Sequence, residues 1–249
     1  MSANSIVIEG RWAVESAVES AFVDVTRLIV EEGRHLDLQE RAAAFGIEVQ
    51  KLNRARMAVE AGYNFHRGVF AEAKRPVGKE PTGPEIASLS HVAVFCGLAD
   101  PGNLGTAIRS AVAFGAEAIW ISKNQGADVY SKKSIRASAT GVFQVPVFQI
   151  GNLADSLNQF RDSGGVVVGS RLKEATPLPS FQAPARIAVL LGTEASGLPS
   201  SLNTVCDEHV VIPISQQMDS LNVGAAAAIL FYSLFRPSPS AKSLFANKR

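Results

Sequence analysis

The segment near the carboxyl end of the chain constrains the fold most strongly. Residues 224–235 (GAAAAILFYSLF) carry no charge and are apolar on nearly every face. A helix of this kind must be covered on all sides, so it belongs in a core or a subunit interface, and it is short for a membrane span. A polar loop over 215–222 precedes it, following a short apolar strand that stops at Pro213. We expect Ser220 to cap the helix and the loop to hold a ligand.

Composition narrows the class of protein. The 249 residues are 47% hydrophobic, which fits one large domain or two ordinary domains with real cores. The net charge is only +1, so any binding of nucleic acid must come from a local patch. Cys96 and Cys206 are the only cysteines, and no apolar leader is visible, which indicates a reducing compartment, the cytoplasm. The four histidines lack metal-ligand spacing, so we expect neither a metal nor a membrane as a partner.

Residues 1–73 predict a small α/β/α domain. Roughly helical spacing relates five apolar residues as on one stripe of a helix: Trp12, Val14, Ala17, Val18 and Ala21. The predicted helices cover 10–20, 37–45 and 54–61, and the predicted strands cover 22–30, 47–52 and the segment after Gly68. The basic side chains that cluster in its second half are Arg54, Arg56, His66 and Arg67. This cluster could grip phosphates, or it could be solvated surface charge.

A linker rich in proline and glycine over 74–90 separates this domain from a second one over 91–249. The runs GVVVGS (165–170) and IAVLL (187–191) are continuously apolar, which is typical of parallel strands covered on both faces. Strands alternate with helical stretches, which predicts right-handed crossovers and an open parallel sheet. Pro146 makes 143–150 an edge strand.

Three loops follow strand ends, where open α/β sheets bind their ligands. The first leads into a helix that Asn103 could cap and that carries Arg109; the second holds Glu194 between two glycines; the third precedes the apolar helix. Each polar residue also has a purely structural interpretation: Asn103 as a cap, Arg109 in a surface ion pair, and Glu194 as a carboxylate at a helix start.

Several common sites are missing from the sequence. No G-x-G-x-x-G follows the first strand of the second domain, and no P-loop motif or G-x-S-x-G elbow occurs. A nucleotide-dependent oxidoreductase on an ordinary doubly wound fold is therefore disfavoured.

The ordered set of three loops resembles a known family. DPGNLGTAIRSAVAFG (100–115), LGTEASG (191–197) and IPI with SLNV (212–223) are similar to the three signature motifs of the SpoU (TrmH-type) RNA 2′-O-ribose methyltransferases, in the SPOUT superfamily. KSIRASATG (133–141) resembles the family's loop between the first two motifs, although the family more often has SAGA there. The first domain is similar to a ribosomal-protein-like RNA-binding domain, with His66-Arg67-Gly68 in place of the more frequent His-Gln-Gly.

The resemblance implies a fold, a cofactor and an assembly. The fold would be α/β, with a C-terminal parallel-sheet domain threaded into a deep trefoil knot, an exception to the usual rule. The cofactor would be S-adenosylmethionine, and the unit a homodimer with the helix over 221–235 in its interface. The residues that the resemblance assigns to cofactor binding are Leu191, Gly192, Thr193, Gly197, Ile212, Ile214, Ser220 and Leu221.

The implied reaction is transfer of the sulfonium methyl to a ribose 2′-hydroxyl of RNA, which needs alignment above all. The catalytic cluster would be Asn103, Arg109, Glu194, Ser220 and Asn222. A guanidinium stays protonated in proteins, so we expect Arg109 to stabilise the developing alkoxide and not to act as a base. The residues expected to bind RNA are Arg54, Arg56, His66, Arg67 and Arg136.

The extra domain favours ribosomal RNA over transfer RNA, by analogy only. A transfer RNA 2′-O-methyltransferase and a non-catalytic RNA-binding factor that keeps the fold are the alternatives. The complete set of Asn103, Arg109, Glu194 and Asn222 disfavours the second alternative.

Overall fold

The computed structural model describes residues 4–61, 67–76, 78–193 and 196–235. The first part of the chain forms a four-stranded mixed sheet with strand order β1-β4-β2-β3. Its strands are β1 (Ser5–Glu9), β2 (Val25–Glu31), β3 (Glu48–Leu52) and β4 (Val69–Lys74). The central β4 runs antiparallel to β1 and β2, and β2 pairs with β3 in parallel. Strand β1 was not predicted from the sequence, although its buried Ile6 and Ile8 alternate with less buried residues as in a half-covered strand.

The helices of this domain are α1 (Arg11–Val18), α2 (Leu36–Ala44) and α3 (Arg54–Ala61). Helix α1 buries Val14, Ala17 and Val18 as predicted. The prediction is wrong for Trp12, which is 80% exposed, and for Ala21, which is exposed and lies beyond the end of α1. Trp12 is only the second residue of α1, two positions before Val14, and residues that far apart lie on different helix faces.

The second part forms a seven-stranded sheet with strand order β7-β6-β5-β10-β8-β11-β9, in which every pair is parallel. The strands are β5 (His91–Phe95), β6 (Ala118–Ser122), β7 (Val147–Ile150), β8 (Val166–Ser170), β9 (Thr176–Pro177), β10 (Ile187–Leu191) and β11 (Glu208–Val211). Every residue of the central β5 and β10 is buried, which confirms the prediction of a parallel sheet covered on both faces.

Helices cover both faces of this sheet. They are α4 (Gly83–Ser88), α5 (Pro101–Ala113), α6 (Lys132–Ala137), α7 (Leu153–Asp162), α8 (Ser200–Asn203) and α9 (Val223–Leu234). One apolar core contains buried residues of α5 and α9, and a second contains buried residues of α4, α7 and α8. Within the described residues, no helix has the length and apolarity that a bilayer crossing requires.

The segment predicted as a linker holds regular structure. Thr82 caps α4, accepting from Glu85 N while the Glu85 carboxylate accepts from Thr82 N, which is a capping box. Ile86 of α4 is only 1% exposed and packs into the second core. The composition of the segment gave no sign of this helix, because Ile86 is the only large apolar residue of α4. The predicted strand over 143–150 is also shorter than expected, since a 3₁₀ turn occupies Gly141–Phe143 and β7 begins at Val147, at the sheet edge.

Helix α9 is covered on one side only in a single chain. Ala227, Leu230 and Leu234 are buried, whereas Ile229 is 39% and Tyr232 72% exposed. The expectation of coverage on every face is therefore not met within one chain.

The small domain rests on the region that leads out of α6. Ser20 Oγ donates to the carbonyl of Phe143 over 2.7 Å, and Gln144 Nε2 donates to Ser16 Oγ over 2.6 Å. Lys132 of α6 forms an ion pair with Glu9 at the end of β1. These contacts place the start of α1 beside α6, and α6 packs on α5.

Candidate functional site

A cavity of about 430 Å³ opens where β8, β10 and β11 end. Carboxyl ends of parallel strands are the usual ligand side of such sheets, and the volume falls in the range of roughly 300–1,000 Å³ typical of small-molecule sites. The residues predicted to bind a cofactor all line this cavity: Leu191, Gly192, Thr193, Gly197, Ile212, Ile214, Ser220 and Leu221.

The loop after β10 has a shape that only glycine permits at two positions. A Cβ on Gly192 would lie 2.1 Å from the carbonyl carbon of Gly197, so the two segments touch backbone to backbone. Thr193 and Gly197 exchange two backbone hydrogen bonds of 3.0 Å, and Gly197 has a φ of +68°. The hydroxyls of Thr193 and Ser196 lie 2.8 Å apart and close the turn.

One wall of the cavity was missed by the sequence analysis. Ser170, Arg171 and Leu172 follow β8 and line the cavity, together with Asn203 of α8. The rule that located the other loops would have found this wall, because Ser170 ends a parallel strand. Arg171 Nε is buried without a hydrogen-bond partner among the described residues, while the same guanidinium donates to the carbonyl of Glu174. Arg171 therefore adds a positively charged side chain to the wall of the cavity.

The start of α5 differs from the prediction. Asp100, not Asn103, caps the helix, since its carboxylate accepts from Asn103 N over 2.8 Å and Pro101 occupies the first helical position. Lys133 binds Asp100 over 2.6 Å, and this bond, followed by the bond from Asn103 N, holds the pKa of Asp100 below its ordinary value. The side chain of Asn103 is thus left available for other contacts.

Asn103 meets the third loop across 119 positions of sequence. Asn222 Nδ2 donates to Asn103 Oδ1 over 3.0 Å. Asn222 also caps α9 by accepting from Gly224 N over 2.9 Å, so the expectation that Ser220 is the cap is wrong. Gly224 allows α5 and α9 to approach closely, because a Cβ there would lie 2.9 Å from Thr106 Cγ2.

Arg109 lies on the same helix as Asn103 and is exposed. Within the described ranges its guanidinium forms no ion pair, so the surface ion pair considered from the sequence is not seen there. Glu194 lies outside the described residues. Of the five residues predicted as catalytic, Asn103 and Asn222 touch, Ser220 lies on the cavity wall, and Arg109 sits further along α5.

The residues predicted to bind RNA are spread over the small domain and α6. Arg54 and Arg56 are exposed on α3, and Arg67 is exposed just before β4. Arg136 is on α6 with its side chain 81% exposed, 3.6 Å from Glu9. His66 lies outside the described residues. In the part of the chain that the structure describes, no group of His, Cys, Asp and Glu is placed to hold a metal ion.

This geometry matches known protein families. A model of the SpoU rRNA Methylase family matches residues 90–232. A model of the RNA 2′-O ribose methyltransferase substrate binding domain matches residues 7–77.

Individual proteins are similar over nearly the full length. A 23S rRNA (guanosine-2′-O-)-methyltransferase RlmB of Acinetobacter baylyi is 32% identical over 91% of this chain and 95% of its own. The SpoU methyltransferase AviRb of Streptomyces viridochromogenes, solved with the cofactor AdoMet, is 26% identical with a TM-score of 0.76, covering 93% of this chain and 89% of that one. An AdoMet-bound rRNA methyltransferase of Sinorhizobium meliloti shares the fold with a TM-score of 0.79 at 24% identity, over 92% and 86% of the two chains.

Proposed function

Because the chain belongs to the SpoU rRNA methylase family, we propose that it transfers a methyl group from S-adenosylmethionine to a ribose 2′-hydroxyl of RNA. The observation that carries this proposal is the hydrogen bond between Asn222 and Asn103. It joins the loop that walls the cavity to the helix that bears Arg109, so a ligand in the cavity and a substrate on α5 would meet at this bond.

The cavity residues fit the cofactor. Leu191, Ile212 and Ile214 offer apolar walls, and the close backbone contact between Gly192 and Gly197 shapes the wall between them. The charged side chain of Arg171 in the cavity wall suits a polar or negatively charged group of the ligand. AdoMet is the ligand of the AviRb structure. We therefore propose that the eight cavity residues predicted from the sequence hold S-adenosylmethionine.

The cofactor supplies an electrophilic methyl group on a sulfonium sulfur. In the transfer the ribose oxygen bonds to this carbon as the carbon–sulfur bond breaks, and the hydroxyl proton passes to an acceptor. Arg109 donates hydrogen bonds to the developing negative oxygen and to a neighbouring phosphate. Asn103 and Asn222 align the two reactants, with Ser220 beside them on the cavity wall. Glu194 is our proposed proton acceptor, since a carboxylate accepts where a guanidinium cannot.

Ribosomal RNA is the proposed substrate, because the Acinetobacter relative acts on 23S rRNA and the small domain matches a substrate-binding model. The domain assignment we propose is RNA binding by 1–73, connection by 74–90 and catalysis by 91–249, with Arg54, Arg56, His66, Arg67 and Arg136 contacting phosphates. A transfer RNA substrate would need the same chemistry and is separated from this one by the experiment below.

We propose two further structural features. The loops around the cavity would close a deep trefoil knot, as the resemblance implies. The exposed Ile229 and Tyr232 of α9 would be covered by a second copy of the chain in a homodimer. Cys96 and Cys206 are both unpaired, which supports a reducing compartment such as the cytoplasm.

Methyl transfer from isotopically labelled S-adenosylmethionine tests the function. We expect label in protein-free ribosomal RNA, located by mass spectrometry at a ribose 2′-oxygen, and little label in transfer RNA. Label in transfer RNA alone would overturn the choice of substrate. Cofactor binding without label in either RNA would favour the non-catalytic factor, and absence of cofactor binding by calorimetry would remove the proposal altogether.

A further inference from the structure

An indole ring stands out on the surface of the small domain. Trp12 is 80% exposed, whereas the only other tryptophan, Trp120, is fully buried. Gly10, with a φ of +89°, caps α1 and turns the chain so that Arg11 and Trp12 emerge at the helix start. An exposed indole offers a large flat face on which a ligand ring can stack.

Basic side chains lie at the same end of the domain as Trp12. Arg11 pairs with Asp37 over 2.6 Å, with both side chains about half exposed. The same end of the domain carries Arg34 and Arg67, because Gly10 N donates to the carbonyl of Val69 and Glu31 N donates to that of Gly68. Arg34 shields Glu31, which is only 17% exposed. A polyanion reaching this end would meet guanidinium groups beside a bare aromatic face.

A basic helix connects this end to the catalytic surface. Lys132 and Arg136 of α6 both contact Glu9, whose side chain is only 16% exposed beneath them, and Trp12 is three positions beyond Glu9. On its other side α6 packs against α5, since a Cβ on Gly105 would lie 2.5 Å from the carbonyl oxygen of Ser134. Helix α6, with its cations Lys132 and Arg136, therefore lies between α5, which carries Arg109, and the end of β1 that precedes Trp12.

We propose that Trp12 stacks on an unpaired base of the substrate RNA, flanking the nucleotide that is methylated. This inference rests on the proposed function and adds a residue that selects single-stranded substrate. Aromatic rings stack on unpaired bases of any identity, whereas paired bases hide their faces inside the helix. Arg11, Arg34 and Arg67 supply the charge for the adjoining phosphates.

Fluorescence offers a direct readout, because Trp12 is the accessible tryptophan and Trp120 is not. We expect protein-free ribosomal RNA to quench the emission of the full-length protein and to protect it from acrylamide. Trp12→Phe, which leaves only Trp120, should lose this response while keeping most of the affinity, since a phenyl ring also stacks. Quenching that is equal in both proteins would overturn the inference.

Trp12→Ala should weaken binding of the same RNA about tenfold, from the loss of one stacked base, and raise KM with little change in kcat. Phe45→Ala is the matched control, because Phe45 is 62% exposed at the other end of α2, roughly 12 Å along the helix from the residue that pairs with Arg11. Equal affinities of the two alanine variants would refute a role for Trp12. If the wild-type protein methylates RNA and Trp12→Ala has the same RNA affinity and KM, only the inference about Trp12 fails. If the wild-type protein transfers no methyl group, the proposed function fails, and the quenching experiment still tests whether Trp12 contacts RNA.

Discussion

The two sides of the candidate site are built by different means. The cavity is shaped by backbone: Gly192 lies against Gly197, and Leu191 and Ile212 wall the space between them. The facing surface of α5 carries polar side chains, of which Arg109 is exposed and Asn103 is bonded to the loop at the cavity through Asn222. Shape therefore dominates on one side and charge on the other.

This difference teaches that binding of the methyl donor and transfer of the methyl group should be separable by mutation. A substitution that fills or distorts the cavity should weaken binding of the methyl donor in the ground state. Removal of a donor on α5 acts where negative charge develops, which affects the transition state. Variants on the two sides should fall into these two classes if the assignment is correct.

The largest effect is expected for Arg109→Ala. We predict that methyl transfer to ribosomal RNA falls by about 10²–10³-fold, the size typical for loss of a donor to a developing oxyanion. Affinity for S-adenosylhomocysteine, measured by calorimetry, should change little because Arg109 does not line the cavity.

Arg161→Ala serves as the control for charge. Arg161 is on α7, whose buried residues belong to the other core, and it pairs with Asp207 over 2.9 Å. It should retain normal transfer. Equal losses of transfer and of cofactor affinity in Arg109→Ala would contradict the separation between the two sides.

Gly192→Ala should show the opposite pattern. The added methyl group would overlap the backbone of Gly197, and overpacking of this kind costs about 1–3 kcal/mol, or roughly 10–100-fold in cofactor affinity. Gly197→Ala is the matched variant, because a Cβ there meets no atom within 4 Å and the cost is only that of a positive φ, about 1–2 kcal/mol of stability. Calorimetry that ranks the two variants in the reverse order would show that the contact does not shape the cavity.

Much of the cavity side was predictable from sequence. Continuous apolar runs identified β8 and β10 as parallel strands, and parallel strands deliver their following loops to one edge. The loops after β10 and β11 lie at such strand ends, and the eight residues that the family resemblance assigned to cofactor binding line one cavity. Their roles in binding stay predictions, but their convergence follows from topology.

The contacts on the α5 side were harder to predict from the sequence. They depend on which of two neighbouring residues caps a helix and on a hydrogen bond between distant parts of the chain. Asn103 and Asp100 are both good cap residues, and the presence of Pro101 decides for Asp100, a signal that was readable but not used. Ser220 and Asn222 are likewise both possible caps, and Asn222 is the one that caps α9, next to the close contact between Gly224 and Thr106. No periodicity in a sequence reveals a bond that spans 119 positions, such as that from Asn222 to Asn103.

Asn222 belongs to both sides, so its variants test whether the bond between them matters. Asn222→Ala should remove the cap of α9 at a cost of about 1 kcal/mol, seen as a Tm lower by roughly 2–4 °C, and should also reduce kcat. Asn222→Ser keeps a capping hydroxyl but not the amide that reaches Asn103, so Tm should recover and kcat should not. Recovery of kcat together with Tm would mean that Asn222 acts only as a cap.

The smallest predicted effect concerns the contact between His91 and the far end of α9. It tests whether pH changes the stability of the fold through a residue outside the candidate site. His91 begins β5, is 8% exposed, and stacks on Phe235 at 5.1 Å between ring centroids. Burial lowers the pKa of His91 below its ordinary value, although the charge of Glu117 and a backbone bond at Gly115 oppose the shift.

The sign of the pH effect follows from this lowered pKa. Below about pH 6.5, His91 is protonated in the unfolded chain but stays neutral in the folded protein. The free energy of unfolding should therefore fall as the pH drops from about 6.5 toward the lower pKa of the folded state. One proton limits the change to about 1.4 kcal/mol per pH unit. Urea unfolding at pH 7.5 and 5.5 should therefore show a smaller pH dependence in His91→Phe than in the wild-type protein. The pKa of His209 is also lowered by burial, and His209 is present in both proteins. The same pH dependence in both proteins would therefore show that His91 does not cause it.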